Sequence, residues 1–229
     1  MRETLQLQEN FLTVVAHELR NPLGPVLIGV DALLTESKGR PIPQDALVRR
    51  LSSIYRHVER LRSDLDRLLD FSRIRSGRID LQLEDVDLSA IVAGTLEEMQ
   101  AILEASSCPI EVALASPLVG RWDSLRLRQV IWNLVSNAAK YAAGAPIDIR
   151  TSGDDRSAVF VIRDRGPGIA PSDRELVFRQ FERSAHHHTG FGVGLWLVRR
   201  IVEALGGAIT LDSTINAGTT FTITLPRTR

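Results

Sequence analysis

The chain has 229 residues, 44% of them hydrophobic and 24% charged, which excludes bulk disorder and leaves room for one or two folded domains. Its 28 basic and 28 acidic residues cancel to a formal net charge of +0, so no basic excess speaks for nucleic acid as a partner. One cysteine, Cys108, excludes an intrachain disulfide; no apolar run approaches the ~20 residues that span a bilayer, and the first residues lack a signal-peptide pattern. A soluble, cytoplasmic chain without membrane contact of its own is expected.

The first element predicted is a helix. Leu12, Val15, Leu19, Leu23, Val26, Val30 and Leu33 recur at steps of three and four and make one apolar seam. His17 lies two residues from both Val15 and Leu19, about 200° around the helix, so it points away from whatever the seam packs against. Glu18 adjoins it, and Asn21 follows one turn on. Pro22 and Pro25 remove the amides that would bond the carbonyls of Glu18 and Asn21, which bends the helix beyond the histidine. A lone histidine on a helix flank is ordinarily a solvated one. The carboxylate beside it, the amide one turn away and the proline bend weigh against that reading.

Lys38 to Pro43 is a loop by its Gly and Pro. In the second helix Leu47, Leu51, Ile54, Val58, Leu61, Leu65 and Leu68 alternate steps of four and three, a coiled-coil pattern. The short loop makes the two helices an antiparallel hairpin, and a hairpin alone has too little core. Pairing with a second copy into a four-helix bundle is expected, hence a homodimer. His57 sits beside this seam and reads as a flanking residue.

Composition changes at Ser76-Gly77. Arg78 to Leu83 alternates like a strand. Val86 to Ala105 reads as helix with Asp87 or Ser89 as cap, Pro109 to Leu114 as strand, and Gly120 as a turn. Asp123 can cap a long helix through Lys140. Ile147 to Arg150 and Ala158 to Ile162 read as strands joined through Gly153-Asp154-Asp155. A helix from Val193 to Leu205 ends at Gly206-Gly207, and Ile209 to Leu211 and Thr219 to Leu225 close the chain as a strand pair. The fold class expected is α+β: a helical hairpin over residues 1–76, then an α/β sandwich over 77–229 with helices on one face of a mixed sheet.

Three segments of the second domain carry chemistry. In Asn133 to Tyr141, Asn133 and Asn137 share a helix face and Lys140 lies near it. Amide oxygens suit Mg²⁺ and an ammonium suits phosphate, although a plain polar helix face has the same look. In Asp164-Arg165-Gly166-Pro167-Gly168-Ile169, directly after a strand, the glycines admit close backbone approach, and the aspartate can accept from an exocyclic amine such as that of adenine. Gly190-Phe191-Gly192-Val193-Gly194-Leu195 runs into a helix whose N-terminal amides favour phosphate; its spacing is neither a Rossmann nor a Walker pattern. Phe178 and Phe181 precede a short stretch that suits a lid.

In order and spacing these motifs resemble the transmitter of sensor histidine kinases along nearly the whole chain. His17-Glu18-x-x-Asn21-Pro22 resembles the family's phospho-acceptor box, Asn133 to Tyr141 its N box, and Asp164, Gly166 and Gly168 its G1 box. Phe178 and Phe181 resemble its F box, and Gly190, Gly192 and Gly194 its G2 box. The resemblance implies a Bergerat-type ATP-binding fold, with ATP and Mg²⁺ as ligands. Asp164 would contact adenine and Asn137 would hold Mg²⁺, helped by Asn133. Lys140 would contact phosphate, Tyr141 would line the pocket, and the glycine loops with Phe181 and Leu195 would surround the nucleotide.

The implied chemistry is autophosphorylation of His17, with Glu18 taking or orienting the imidazole proton. The phosphoryl group then passes to an aspartate of a response regulator, and Asn21 could orient water on the phosphorylated regulator for phosphatase activity. Related ATPases (the gyrase, Hsp90 and MutL group) carry a water-activating glutamate where this chain has Asn133, which disfavours hydrolysis. Departures are the arginine at 165 and the short lid, with His186, His187 and His188 in it. The resemblance also admits this chain as the cytoplasmic part of a membrane-bound sensor. The competing reading is a non-catalytic dimeric nucleotide-binding scaffold.

Overall fold

The computed structural model describes residues 20–21, 23–36, 43–75, 79–115, 117–142, 144–179 and 192–227. His17, Glu18, Pro22, the Ser76-Gly77 junction, Phe181, His186 to His188 and Gly190 lie outside them. The described residues fall into two compact units, one up to Arg75 and one from Ile79 onward.

The first unit is the expected hairpin. Helix α1, residues 23–36, is followed by α2, Gln44–Arg75. Glu36 accepts from the Arg50 guanidinium at 2.7 Å, and Gly29 lies against Ile54, so the two helices run in opposite directions. The seam of each helix splits into two sets, each with a period of seven. Val26 and Leu33 with Leu47, Ile54 and Leu61 are half-buried, whereas Leu23 and Val30 with Leu51, Val58 and Leu65 are exposed. His57 donates through Nδ1 to the Ser53 carbonyl at 2.8 Å, one turn back on its own helix. That is the flanking role its position implied.

The second unit is built on a five-stranded sheet in the order β2-β4-β5-β7-β6. Its strands are β2 Ile110–Ala113, β4 Ile147–Gly153, β5 Ser157–Asp164, β6 Ala208–Thr214 and β7 Gly218–Pro226. Only the β2–β4 pair is parallel, so the sheet is mixed. Two short strands, β1 Glu84–Asp87 and β3 Val119–Trp122, form a separate antiparallel ribbon.

The helices are α3 Leu88–Glu98, α4 Gln100–Ser106, α5 Ser124–Tyr141 and α6 Gly194–Ala204. Helix α5 packs on β5 and between α3 and α6, and α6 packs on β6. The strand residues of one face interleave with them. Ile149, Ile162 and Phe221 form one cross-strand row, and Thr151, Phe160 and Ile223 the next. Leu134, Val135, Leu197 and Ile201 meet this layer and are at most 1% exposed. Burying a side chain of this kind contributes about 1.5–3 kcal/mol, so this layer dominates the unit's stability.

Local signals explain most boundaries. Asp87 caps α3 by accepting from Ser89 N at 3.0 Å, and the same oxygen takes Leu118 N at 2.9 Å. Asp154 closes the β4–β5 hairpin by accepting from the amides of Arg156 and Ser157 and from the Ser157 hydroxyl. Those bonds hold its carboxyl below the usual carboxylate range. Gly206, at φ +75°, ends α6 in a left-handed turn, with Gly207 N bonded to the Val202 carbonyl and Gly206 N to that of Glu203.

Three expectations need correction. Residues 79–83 are not a strand; pairing starts at Glu84, where β3 supplies a partner. The stretch expected as one helix from Val86 to Ala105 is two, because Val86 belongs to β1 and the chain breaks step at the fully buried Met99. Gly120 is not a turn but a buried strand residue. Its lack of a side chain makes room for the indole of Trp122, whose Nε1 donates to the Pro226 carbonyl at 2.9 Å.

Asp123 is the joint between the ribbon and α5. One carboxylate oxygen accepts from Arg126 N at 3.0 Å as the helix cap, and the other from Gln82 N at 2.9 Å. Asp123→Ala leaves both amides without that partner and should lower unfolding free energy by ~1–3 kcal/mol. Asp123→Asn, which keeps one acceptor, should lose less. Chemical denaturation of the two variants beside the parent checks this ranking.

Candidate functional site

The last residue of β5 is Asp164. Its neighbours across the sheet form one row, Ile147–Asp164–Thr219–Ser213. Asp164 is buried, and its Oδ1 accepts from Gly166 N at 2.9 Å. Burial pushes its carboxyl up, while the amides of Gly166 and Thr219 and its own amide hold it down. A carboxylate kept there against desolvation is a group with a task beyond packing.

The loop after Asp164 is fastened on both sides. A side chain on Gly166 would come within 2.6 Å of the Tyr141 carbonyl and 3.0 Å of Asp164 Oδ1, so this position tolerates no Cβ. Gly168 has φ +71°, and a Cβ there would strike the Thr214 carbonyl. Ile169 N donates to Ser213 Oγ at 2.8 Å, Asn216 N donates to the Pro167 carbonyl at 2.8 Å, and Arg174 donates to the Ser213 carbonyl. The loop is therefore tied to the β6–β7 turn. Arg165 points the other way along the strand alternation, and its guanidinium lies 3.7 Å from Asp148 Oδ2.

Helix α5 supplies the second side. Asn133 is buried and donates through Nδ2 to the Gln129 carbonyl at 2.8 Å. Its Oδ1 lies 3.2 Å from where a Cβ on Gly194 would stand, so it faces the start of α6. Asn137, one turn later, is half-buried. Lys140 is exposed, with Nζ 3.0 Å from the Tyr141 hydroxyl and 4.7 Å from the ring centre.

The third side is the beginning of α6. Gly192 has φ +66° and Val193 occupies the N-cap, where it offers no side-chain acceptor to the first-turn amides. Gly194 and the half-buried Leu195 follow in the first turn. The N-terminus of a helix favours an anion such as a phosphate. Phe178 meets Phe221 edge to face at 6.3 Å, with Arg199 over its other side at 5.6 Å.

Gly166 thus lies between the Asp164 carboxylate and the backbone carbonyl of Tyr141, and Gly194 faces the Asn133 amide. Thr219 and Ser213 belong with Asp164, yet in the sequence both read only as strand positions. The signal that would have found them is the pairing register. Among the described residues no group of three His, Cys, Asp or Glu side chains could hold a metal ion. The half-buried Asn137 offers an amide oxygen, a donor of the kind that hard divalent cations take.

These features define a nucleotide-binding α/β sandwich of the Bergerat type. Residues 122–229 match the family described as "Histidine kinase-, DNA gyrase B-, and HSP90-like ATPase", and residues 7–77 match "His Kinase A (phospho-acceptor) domain". The Escherichia coli K12 sensor protein KdpD is 33% identical over 98% of this chain, which spans 25% of that relative's length. The histidine kinase MtrB of Mycolicibacterium paratuberculosis is 29% identical over 100% of this chain and 41% of its own. The solved structure of the Acinetobacter baumannii histidine kinase AdeS superimposes with a TM-score of 0.71 at 26% identity, covering 93% of this chain and 98% of that one. The chain belongs to the sensor histidine kinases and carries their phospho-acceptor and ATP-binding domains.

Burial raises the folded-state pKa of Asp164, so the folded chain binds that proton more tightly than the unfolded chain does. Its contribution to stability is full below the ordinary carboxylate pKa and is lost as pH rises through the folded value. Asp164→Asn removes this dependence. The variant should match or exceed the parent in thermal stability near neutral pH, its relative advantage growing from about pH 4 upward. It should bind ATP about 10–100-fold more weakly, the value of one charge-assisted hydrogen bond. Thermal melts across pH, with titration of a fluorescent ATP derivative, measure both.

Proposed function

We propose that the chain is the transmitter of a two-component sensor kinase, with residues 1–76 as dimerisation and phosphotransfer domain and 77–229 as catalytic domain. The observation that carries the reading is that one chain joins a matched phospho-acceptor hairpin to a sandwich whose sheet ends in a buried carboxylate. Asp164 binds the adenine amine and Lys140 the phosphates. Tyr141, Leu195, Phe181 and the glycines at 166, 168, 190, 192 and 194 surround the nucleotide, and Asn137 holds Mg²⁺ with help from Asn133. Mg²⁺ would offset charge on the phosphates.

His17 attacks the γ-phosphorus of ATP through one neutral imidazole nitrogen. The N–P bond forms as the bond to the bridging oxygen breaks, and ADP leaves. Glu18 takes or orients the proton on the other ring nitrogen, which raises the nucleophilicity of the attacking one. A response-regulator aspartate then receives the phosphoryl group. Asn21, exposed and four residues after His17 in the sequence, orients water when the phosphorylated regulator is hydrolysed.

A second copy of the chain completes the hairpin. Leu51 is 50% exposed, Val58 44% and Leu65 42%, seven residues apart on one side of α2. Such a stripe is what a four-helix bundle buries. Among the described residues no helix is long and apolar enough to cross a membrane. The chain spans a quarter to two fifths of the two relatives named above.

Incubation with γ-labelled ATP and Mg²⁺ should give an acid-labile, alkali-stable label on the chain. His17→Gln should abolish it while ATP binding and the fold persist; a label that survives this substitution overturns the assignment of the acceptor. Asn21→Ala should slow dephosphorylation of a phosphorylated regulator about tenfold or more, the usual worth of a positioned acid–base or water-orienting group, and spare autophosphorylation. Equal loss of both activities would remove Asn21 from the phosphatase step.

A further inference from the structure

Among the described residues three aspartates are buried. Asp123 caps α5 and Asp164 ends the central strand of the site, but Asp148 does neither. It lies on β4, on the sheet face opposite Ile147 and Ile149, and is 8% exposed. Its neighbours across the sheet are Glu111 on β2 and Arg163 on β5. Among the described residues no hydrogen-bond donor reaches its carboxylate, and Arg163 makes no ion pair with it. A carboxylate taken out of water needs a counter-charge, and here the counter-charge is Arg165, with Nη2 3.7 Å from Oδ2.

Arg165 sits inside the turn that carries the site. The bond from Gly166 N to Asp164 Oδ1 closes around it. Gly218 presses on its backbone from β7: a Cβ there would come within 2.8 Å of the Arg165 Cα and 2.0 Å of the Asp164 carbonyl oxygen. The side chain leaves towards β4 and ends at Asp148. The far half of the loop is fastened to the β6–β7 turn through Pro167, Ile169 and Arg174. The Arg165–Asp148 pair fastens the near half to β4. This gives the arginine at 165, a departure from the family pattern, a task of its own.

We infer that Arg165 and Asp148 form a latch that holds the Asp164–Gly166 turn, and that both are positioning residues for ATP binding, acting through Asp164. The inference rests on the nucleotide-site reading above. The Arg165 side chain is 52% exposed and that of Asp148 11%, so salt reaches the pair and weakens it. The two opposite charges also give the latch its own signature. Acting on ATP only through space, loss of the arginine charge would weaken binding of the anionic nucleotide, and loss of the aspartate charge would tighten it. In a latch, loss of either charge weakens binding.

The test is equilibrium titration of a fluorescent ATP derivative with Mg²⁺ on the 229-residue chain, on Arg165→Gln, on Asp148→Asn and on the double variant, at ~0.05 M and ~0.5 M salt. At low salt each single variant should bind about threefold to fivefold more weakly, the upper range for a half-exposed ion pair. The double variant should bind no more weakly than the weaker single one. At high salt the gap between parent and variants should close, because the parent's pair is then screened; a merely structural defect leaves the gap open. Unchanged or tighter binding by Asp148→Asn, additive losses in the double variant, or a gap that salt does not narrow overturns the inference. If Arg165→Gln does not fold, Asp148→Asn, which keeps the side chain's shape, decides by the sign of its effect and its salt response. A parent that binds no ATP overturns the site reading and the latch with it. A parent that binds ATP no better than its variants overturns the latch alone.

Discussion

The second unit is arranged around a carboxylate that water would hold more comfortably. Asp164 stands at the end of a central strand, where the helical layer has removed solvent. Burial alone would protonate or expel it, and three backbone amides act against that. Those amides are available only if the chain turns sharply at Gly166 and if β7 lies in register beside β5. The loop, the pairing and the turn that opens β7 are thus conditions of one buried carboxyl group. The fasteners outside it, from Ile169, Asn216 and Arg174, join the same turn to the same loop.

The hairpin follows a different constraint. Its seam residues divide into an inner set that meets the partner helix and an outer set that does not. The inner set orders two helices, but two helices cover little apolar area, and a unit of that size is marginal by itself. A hydrophobic repeat that is regular in sequence is therefore only half used within one hairpin.

Much of this was legible because local rules act on short windows. Asp123 before an apolar repeat, Gly153-Asp154-Asp155 between two alternating runs, and Gly206-Gly207 after another repeat each carry their own geometry, and all three elements lie where those residues place them. The failures have the opposite character. Gly120 is a glycine because of a tryptophan two residues on that folds back over the strand. Met99 breaks a helix whose periodicity runs through it unbroken. The alternation of residues 79–83 is real but finds no strand to pair with until Glu84. Ser213 and Thr219 acquire meaning only from the register that sets them beside Asp164. A side chain whose role depends on a residue 50 places away leaves no mark at its own position.

Asn133 joins these two kinds of information. Its place on α5 was legible, and the structure adds how its amide is used: the nitrogen is committed to the Gln129 carbonyl and the oxygen faces Gly194. An amide has no basic lone pair on nitrogen, so nothing at this position can draw a proton from water. A nucleotide held here without a base is slow to hydrolyse, because the attacking group must bring its own proton acceptor. In this chain such a pair exists in sequence as His17 with Glu18 beside it, on the other unit. On that reading the nucleotide site supplies position and charge compensation and the hairpin supplies nucleophile and base. Phosphoryl transfer then requires the two units to meet, which makes their meeting the natural point of control.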